Sequence, residues 1–295
     1  MAYACIDIGS NTTRLLVAEP DGDRLRELMT QRAFTSIGKA VSKGRIPPEK
    51  IEETAEVVAK QARLAQELGA TDIAVVATAA VRSAKNREEF ESAIEAECSL
   101  PVRVLSGDEE ARLAFLGATR TFSGPLDGAV AVVDVGGGST EIVIGTLADG
   151  VSWAESFRIG SSFIADSYLR SDPPGIAELE SARLHVAGMF EGLEVPRALH
   201  AVATGGSANA LRRLVGAELE YETLERGIRI LASTPMDEVA KRFELDPERV
   251  RVLPAGVLIF EEIAGKLDLP LSVGKGGVRE GVILELLSPD LAQSG

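Results

Sequence analysis

Two short stretches of the chain end an apolar run on an aspartate and follow it with glycine and small hydroxylated residues. They are Cys5-Ile6-Asp7-Ile8-Gly9-Ser10-Asn11-Thr12 and Val132-Val133-Asp134-Val135-Gly136-Gly137-Gly138-Ser139. A Gly-rich turn between two strands exposes backbone N–H groups with no side chain in the way, and such a nest binds phosphate oxygens. Ser10, Asn11, Thr12, Ser139 and Thr140 add short donors. An aspartate at the end of the first strand can hold Mg²⁺, directly or through water, or orient a nucleophilic water. One such turn suits the closing of a hairpin as well as it suits a phosphate. Two at equivalent points of a repeat, with a third Gly-rich turn at Ala203-Thr204-Gly205-Gly206-Ser207-Ala208, point to phosphate binding.

Other polar groups could complete a reaction. Ser106-Gly107-Asp108-Glu109-Glu110-Ala111-Arg112 places adjacent carboxylates at a helix start. They would complement the helix dipole by roughly a few tenths of a kcal/mol, or supply a base that activates water. A phosphoanhydride needs little beyond that base, a cation and donors for the developing charge. Arg82 and Lys85 follow the apolar run Ile73–Ala77, at the strand edge where open α/β sheets bind ligands; a solvated surface arginine would satisfy the same pattern. Arg279, in Gly276-Gly277-Val278-Arg279-Glu280-Gly281, opens a closing helix and suits either a ligand or a surface ion pair. Cys5, in an apolar strand with no basic neighbour, is a core residue rather than a nucleophile. His185 and His200 have no motif around them.

The elements that must position these groups alternate between strand and helix. Ala4–Ile8 and Leu15–Glu19 are expected as strands joined by the turn Gly9-Ser10-Asn11. Asp21-Gly22-Asp23 is a turn signal, and a third strand follows from Arg24. Pro47-Pro48 opens a helix whose apolar positions Ile51, Ala55, Val58, Ala62 and Ala65 recur at helical spacing until Gly69. Strand Ile73–Ala77, helix Arg87–Glu97, strand Val102–Leu105 and helix Glu109–Ala118 complete the first half, with Ser106 or Asp108 available as cap. After the linker Thr121-Phe122-Ser123-Gly124-Pro125 the pattern restarts: strand Ala129–Asp134, strand Glu141–Gly145, a third strand around Trp153, and later a strand Leu199–Ala203. The internal repeat implies two copies of one α/β unit.

Composition narrows the class. The chain has 295 residues, 45% apolar and 26% charged, ordinary for a protein with a packed core. No apolar run approaches the roughly 18 residues of a membrane span, and the N-terminus lacks the basic and apolar regions of a secretory signal. Two cysteines, Cys5 and Cys98, fit a reducing cytoplasm and give no disulfide framework. Two histidines cannot furnish a His-rich zinc site. Any metal is expected to be a hard cation on oxygen ligands, Mg²⁺ above all. The net charge of −14 argues against non-specific nucleic-acid binding.

The motifs, taken in order, resemble the exopolyphosphatase / guanosine pentaphosphate phosphohydrolase (Ppx/GppA phosphatase) family, nearly end to end. Ile6-Asp7-Ile8-Gly9-Ser10-Asn11 resembles its first phosphate loop and Asp134-Val135-Gly136-Gly137-Gly138-Ser139-Thr140-Glu141 its second. Ala77-Thr78-Ala79-Ala80-Val81-Arg82 resembles its Ala-Thr-x-x-x-Arg segment. Ser106 to Leu113 resembles its Ser-Gly-x-Glu-Glu-Ala-Arg-Leu motif. Gly205-Gly206-Ser207 and Arg279-Glu280-Gly281 match two further turns. Gly274-Lys275-Gly276-Gly277 and Gly160-Ser161-Ser162-Phe163 depart from the family pattern, which bears on substrate choice more than on reaction type.

The resemblance implies two ribonuclease H-like domains of the actin–hexokinase–Hsp70 superfamily, with a cleft between them. They are expected at 1–122 and 123–295, with 280–295 able to pack back on the first. It implies the short form, without a C-terminal HD-type domain. Glu110 falls at the catalytic base; Asp134 and Glu141 fall at the carboxylates that hold Mg²⁺ (or Mn²⁺) and water. Gly136, Gly137, Gly138 and Ser139 would cradle the terminal phosphate. Asp7, Ser10, Asn11, Arg82, Gly205, Gly206, Ser207 and Arg279 would complete the phosphate site. A homodimer is the family expectation.

The expected reaction is Mg²⁺-dependent removal of the terminal phosphate of inorganic polyphosphate. The −14 charge favours short chains, with Arg82, Lys85, Arg158, Lys275 and Arg279 as local compensation. A guanosine pentaphosphate (pppGpp) 5′-phosphohydrolase is the runner-up; it needs a guanine pocket that the sequence does not disclose. A kinase of the same superfamily lacks a sugar-binding motif here, and a non-catalytic nucleotide or alarmone sensor would leave the carboxylates dispensable.

Overall fold

The apolar stretch leading to Asp7 becomes the middle strand of a five-stranded sheet. The computed structural model describes residues 1–22 and 24–287. The first part of the chain forms β1 (Ala2–Ile8), β2 (Thr13–Asp21), β3 (Arg24–Ala33), α1 (Ile37–Ala40) and α2 (Pro48–Glu67). Then come β4 (Ala70–Ala77), α3 (Ala79–Arg82), α4 (Arg87–Cys98), β5 (Val102–Val104) and α5 (Gly107–Thr121). β1–β2–β3 is an antiparallel meander, while β4 runs parallel to β1 and β5 parallel to β4. The order is β3-β2-β1-β4-β5. The turn expected at Asp21-Gly22-Asp23 is seen as far as Gly22, at φ 61; Asp23 lies outside the described residues.

β1 is apolar but for Tyr3 and Asp7 because both its faces are covered, the condition that gives a strand a continuous rather than alternating pattern. Ala4, Ile6 and Ile8 pack with Ile51, Ala55, Val58, Ala62 and Ala65, the buried stripe of α2. Cys5 packs on the other face with Leu113 and Ala114 of α5. Pro48 starts α2 where its missing N–H is harmless. Gly69, at φ 82, follows the helix end in the conformation glycine tolerates best.

The second part repeats the plan with insertions. It comprises β6 (Val130–Val135), β7 (Thr140–Thr146), β8 (Gly150–Phe157), α6 (Ser161–Tyr168), α7 (Ile176–Met189), β9 (His200–Thr204) and α8 (Gly205–Val215). It continues with β10 (Glu218–Leu219), α9 (Tyr221–Ser233), α10 (Met236–Phe243), α11 (Pro247–Leu267) and β11 (Leu271–Val273). The order is β10-β11-β9-β6-β7-β8. β6, β7 and β8 stand where β1, β2 and β3 stand in the first sheet, and β9 and β11 take the places of the parallel β4 and β5. Each part thus has the ribonuclease H-like arrangement. One core cluster, centred on Val133, Ile142, Leu211, Leu253 and Phe260, fills the helix-covered side of this sheet.

The chain divides into two compact units: Met1–Thr121 with the segment from Gly276 onward, and Phe122–Lys275. The last described helix, α12 (Val278–Leu287), therefore belongs to the first unit rather than to a second domain running to 295. It packs on α5 at close range. A Cβ on Gly117 would collide with the Gly277 carbonyl, and one on Gly281 with the Leu113 carbonyl. The remainder of the expected closing segment, 288–295, lies outside the described residues. Among the described residues no helix is long and apolar enough to cross a membrane.

Candidate active site

The two Asp-Gly loops share one backbone geometry, each within its own unit. Gly9 N donates to Thr12 O at 3.0 Å, and Gly136 N donates to Ser139 O at 3.0 Å. That bond closes each turn and leaves the two intervening amides unused. Among the described residues Ser10 N, Asn11 N, Gly137 N and Gly138 N donate to no protein acceptor. Consecutive free amides in a tight turn form an anion nest. The chain after the third strand braces each loop, and the two braces share the carbonyl at the position of Ser10 and Gly137. Ser36 N and Gly38 N donate to Asn11 O (2.9 Å) and Ser10 O (2.8 Å). Ser161 N and Ser162 N donate to Gly136 O (2.9 Å) and Gly137 O (3.0 Å). The segment Gly160-Ser161-Ser162-Phe163, which departs from the family pattern, is thus the brace of the second loop. Gly160 is required there, because a Cβ would collide with Gly137.

In the first unit Asp7, next to last in β1, stands directly opposite Arg14 of β2. Its Oδ1 is buried with no hydrogen-bond partner. Burial raises the Asp7 carboxyl above its ordinary value of 3.8; Arg279 and Arg14 oppose the rise and Glu280 adds to it. Arg279 is largely buried and donates from Nη1 to Leu15 O at 3.4 Å, so it acts on Asp7 as a fixed counter-charge. Glu280, buried as well, accepts from Gly277 N at 2.8 Å and closes the first turn of α12. Asn11 is buried, with Nδ2 unpartnered. The Cys5 thiol is pushed well up by burial and then by Asp7, which disposes of it as a nucleophile.

The structure separates the roles of the two adjacent glutamates. Glu109 N donates to Ser106 Oγ at 3.1 Å and Ser106 N donates to Glu109 Oε2 at 2.9 Å, a reciprocal capping box. Arg103 Nη2 holds its other oxygen at 2.8 Å. Glu109 is therefore a helix cap. Glu110, one residue on, points elsewhere and is only 8% exposed. Arg82 Nη1 donates to its Oε2 at 2.7 Å and to Leu105 O at 2.7 Å. Arg82 was expected on phosphate; the structure places it on the candidate base, with both bonds made from a single nitrogen.

In the second unit four side chains stand in one row across the sheet. Thr204, Asp134, Glu141 and Ser156 are successive register partners on β9, β6, β7 and β8. Glu141 is 1% exposed and accepts from Ser156 Oγ at 2.8 Å. Thr204 Oγ1 is buried and unpartnered. Gly205 follows at φ +89, and a Cβ there would lie 2.5 Å from Asp134 Oδ1. The third Gly-rich turn is thereby held against the Asp134 carboxylate. Gly206 faces Arg249 of α11; a Cβ would come 2.6 Å from Nη2. Ser207 differs from expectation. It is fully buried with its side chain against Gly256 of α11, so its hydroxyl packs the α8–α11 contact instead of reaching a ligand.

The first unit thus gathers Asp7, Ser10, Asn11, Arg82, Glu110 and Arg279, and the second gathers Asp134, Gly136, Gly137, Gly138, Ser139, Glu141, Gly205 and Gly206. Sequence reasoning missed Arg249, Ser156 and Thr204. Arg249 had a signal: it sits on the apolar stripe it shares with Leu253, Gly256 and Phe260, at helical spacing, where an arginine is out of place. Ser156 and Thr204 had none, because only strand register brings them beside Glu141 and Asp134. Among the described residues no cluster of three or more His, Cys, Asp or Glu gathers. The Asp134–Glu141 pair fits Mg²⁺, which takes one or two carboxylates and fills its octahedron with water and phosphate.

The chain is similar to known proteins over nearly its whole length. Residues 16–289 match the Ppx/GppA phosphatase family. Exopolyphosphatase 2 of Mycobacterium tuberculosis is 30% identical, over 98% of both chains. The crystal structure of the Aquifex aeolicus Ppx/GppA family member is 30% identical and superposes with a TM-score of 0.83 over 98% of both chains. An exopolyphosphatase-like protein of known structure, 26% identical, reaches 0.86 over 97% of both. With a family match over nearly its whole length, the chain belongs to the Ppx/GppA phosphatase family.

Proposed function

We propose that the protein is an exopolyphosphatase that hydrolyses the terminal phosphoanhydride of short inorganic polyphosphate chains. The observation that carries this reading is the division of labour at the start of α5. Glu109 is consumed by the cap, whereas Glu110 is buried and aimed by Arg82. A helix cap alone would not need a second, oriented glutamate.

Glu110 accepts the proton of the attacking water or orients it, and Arg82 Nη1 fixes the oxygen that does not. Arg82 keeps its remaining guanidinium nitrogens for a phosphate oxygen. Within each unit the two loop amides, Ser10 and Asn11 in the first and Gly137 and Gly138 in the second, suit phosphate oxygens where negative charge accumulates. Asp134 and Glu141 would hold Mg²⁺, with Thr204 beside them; when bound, the ion supplies Lewis-acid stabilisation of the transferring phosphoryl group. Ser156 keeps Glu141 oriented.

The reading is tested by phosphate release, with Mg²⁺ present, from short polyphosphate, long polyphosphate, pppGpp and ATP side by side. Short chains are expected to give the highest kcat/KM. Preferential turnover of pppGpp would replace the substrate assignment, and no release from any of the four would end the hydrolase reading.

A further inference from the structure

In a chain of net charge −14, the segments 36–46 and 78–87 together carry six lysines and arginines and no Asp or Glu. Both lie in the first unit and both follow strand ends beside the Asp7 loop. The first is anchored by Gly38, whose N–H donates to Ser10 O at 2.8 Å. It continues through α1, which packs on α3, into a tight turn at Ser42–Arg45. Ser42 and Arg45 exchange two backbone hydrogen bonds of 2.9 Å, and Lys43 and Gly44 take φ of 51 and 77, the two positive values of a type I′ turn. Lys85 N donates to Gly44 O at 2.8 Å, and its methylenes lie along Gly44. Asn86, buried, locks the two segments: its Oδ1 accepts from Ile46 N at 2.9 Å and its Nδ2 donates to Ile46 O at 3.0 Å.

Three of the six cations have internal duties. Arg82 pairs with Glu110, Arg45 with Glu89 and Arg87 with Glu91. Lys39, Lys43 and Lys85 are exposed, and among the described residues none has an ion-pair partner. Thus a rigid scaffold presents three unpaired ammonium groups in one patch that adjoins the Asp7 loop through Gly38.

We propose that Lys39, Lys43 and Lys85 form a distal subsite for the phosphates of a condensed phosphate chain beyond those held at the loop. The inference rests on the polyphosphate reading of the same site and gives it a length scale. Lysines suit such a role because their compact charges accept a flexible polyanion in many registers, where arginine forks would demand one. Affinity then rises with chain length until the lysines are reached and levels off beyond them. The net charge of −14 gives a longer polyanion little further attraction, so the subsite favours short chains.

The test compares wild type with the triple variant Lys39→Ala, Lys43→Ala, Lys85→Ala, on tripolyphosphate, on a longer condensed phosphate and on pppGpp. Calorimetric Kd and steady-state constants are measured at two salt concentrations. For the longer chain, Kd and KM are expected to rise about tenfold with kcat kept, and the salt dependence to weaken. Tripolyphosphate and pppGpp should shift little, and the corresponding triple Lys→Arg variant, which keeps the charge, should restore binding in part. No change, an equal change for every ligand, or a change confined to pppGpp would overturn the subsite. If wild type cleaves none of the three, the hydrolase reading falls, while the calorimetric contrast between chain lengths still decides the subsite.

Discussion

The loop at Asp7 and the loop at Asp134 have the same closing bond, yet their cross-strand partners are of opposite charge. Seven residues after Asp7, the partner across the hairpin is Arg14; seven residues after Asp134, it is Glu141. Register partners stand about 4.5–5.5 Å apart between Cβ atoms, close enough for like charges to destabilise the pair and for opposite charges to stabilise it. In the first unit the protein brings cations to its aspartate, Arg14 and the buried Arg279. In the second it brings a second carboxylate and a buried threonine hydroxyl. One scaffold thereby becomes two devices. In the first, Arg279 and Arg14 oppose the cost of burying the carboxylate without cancelling it. The second is the one proposed to take a divalent cation.

Substitutions can break that comparison. The largest effect is expected at Glu110, where Glu110→Gln should lower kcat by about 10²–10⁴-fold with the fold intact by circular dichroism. The neighbouring Glu109→Gln should instead lower Tm and spare kcat. Next comes the pair of loop partners. Glu141→Gln should raise the Mg²⁺ concentration for half-maximal activity by about tenfold or more, since charge count sets the affinity of an oxygen site. Arg14→Gln, the equivalent change in the first unit, should leave that concentration unmoved and alter substrate KM.

Smaller effects fall on stability. Gly205→Ala combines positive φ with a Cβ against Asp134, and should cost about 2 kcal/mol, read as a lower Tm by thermal denaturation. Gly22→Ala, also at positive φ but with open space around it, should cost about half as much. The smallest effect concerns acid. At Glu285, burial alone would raise the carboxyl, but hydrogen bonds from Arg103 and Arg112 outweigh it and hold the group below 4.5. Glu109 is likewise held low, first by the Ser106 N–H and then by Arg103. Both groups bind protons less readily folded than unfolded, so their stabilisation is full above about pH 4.5 and is lost as pH falls through the folded values. Glu285→Gln should flatten Tm against pH in that window, by less than about 1 kcal/mol of stability.

Much of the scaffold was legible because its signals are local. The apolar runs before Asp7 and Asp134, the glycines after them and the Pro48 helix start each determine their own neighbourhood. The repeat was visible because both loops keep the same spacing from aspartate to return strand. What was not legible depends on register and on packing between distant elements. Nothing near Ser156 says that it will meet Glu141, since a one-residue slip of β8 would turn it to the other face. Ser207 looked like a third phosphate donor because Gly-Gly-Ser suits one, but α11 covers its hydroxyl. Arg82 also meets Glu110, 28 residues on, and only the fold brings the two together.

The central claim is that the Asp134 loop, and not the Asp7 loop, holds the divalent cation. Mn²⁺ binding followed by electron paramagnetic resonance on wild type, Asp134→Asn and Asp7→Asn, with inorganic phosphate present, addresses it without relying on turnover. Asp134→Asn should weaken Mn²⁺ binding by about tenfold or more while Asp7→Asn binds as wild type does. Equal loss in both variants, or loss in Asp7→Asn alone, would contradict the account.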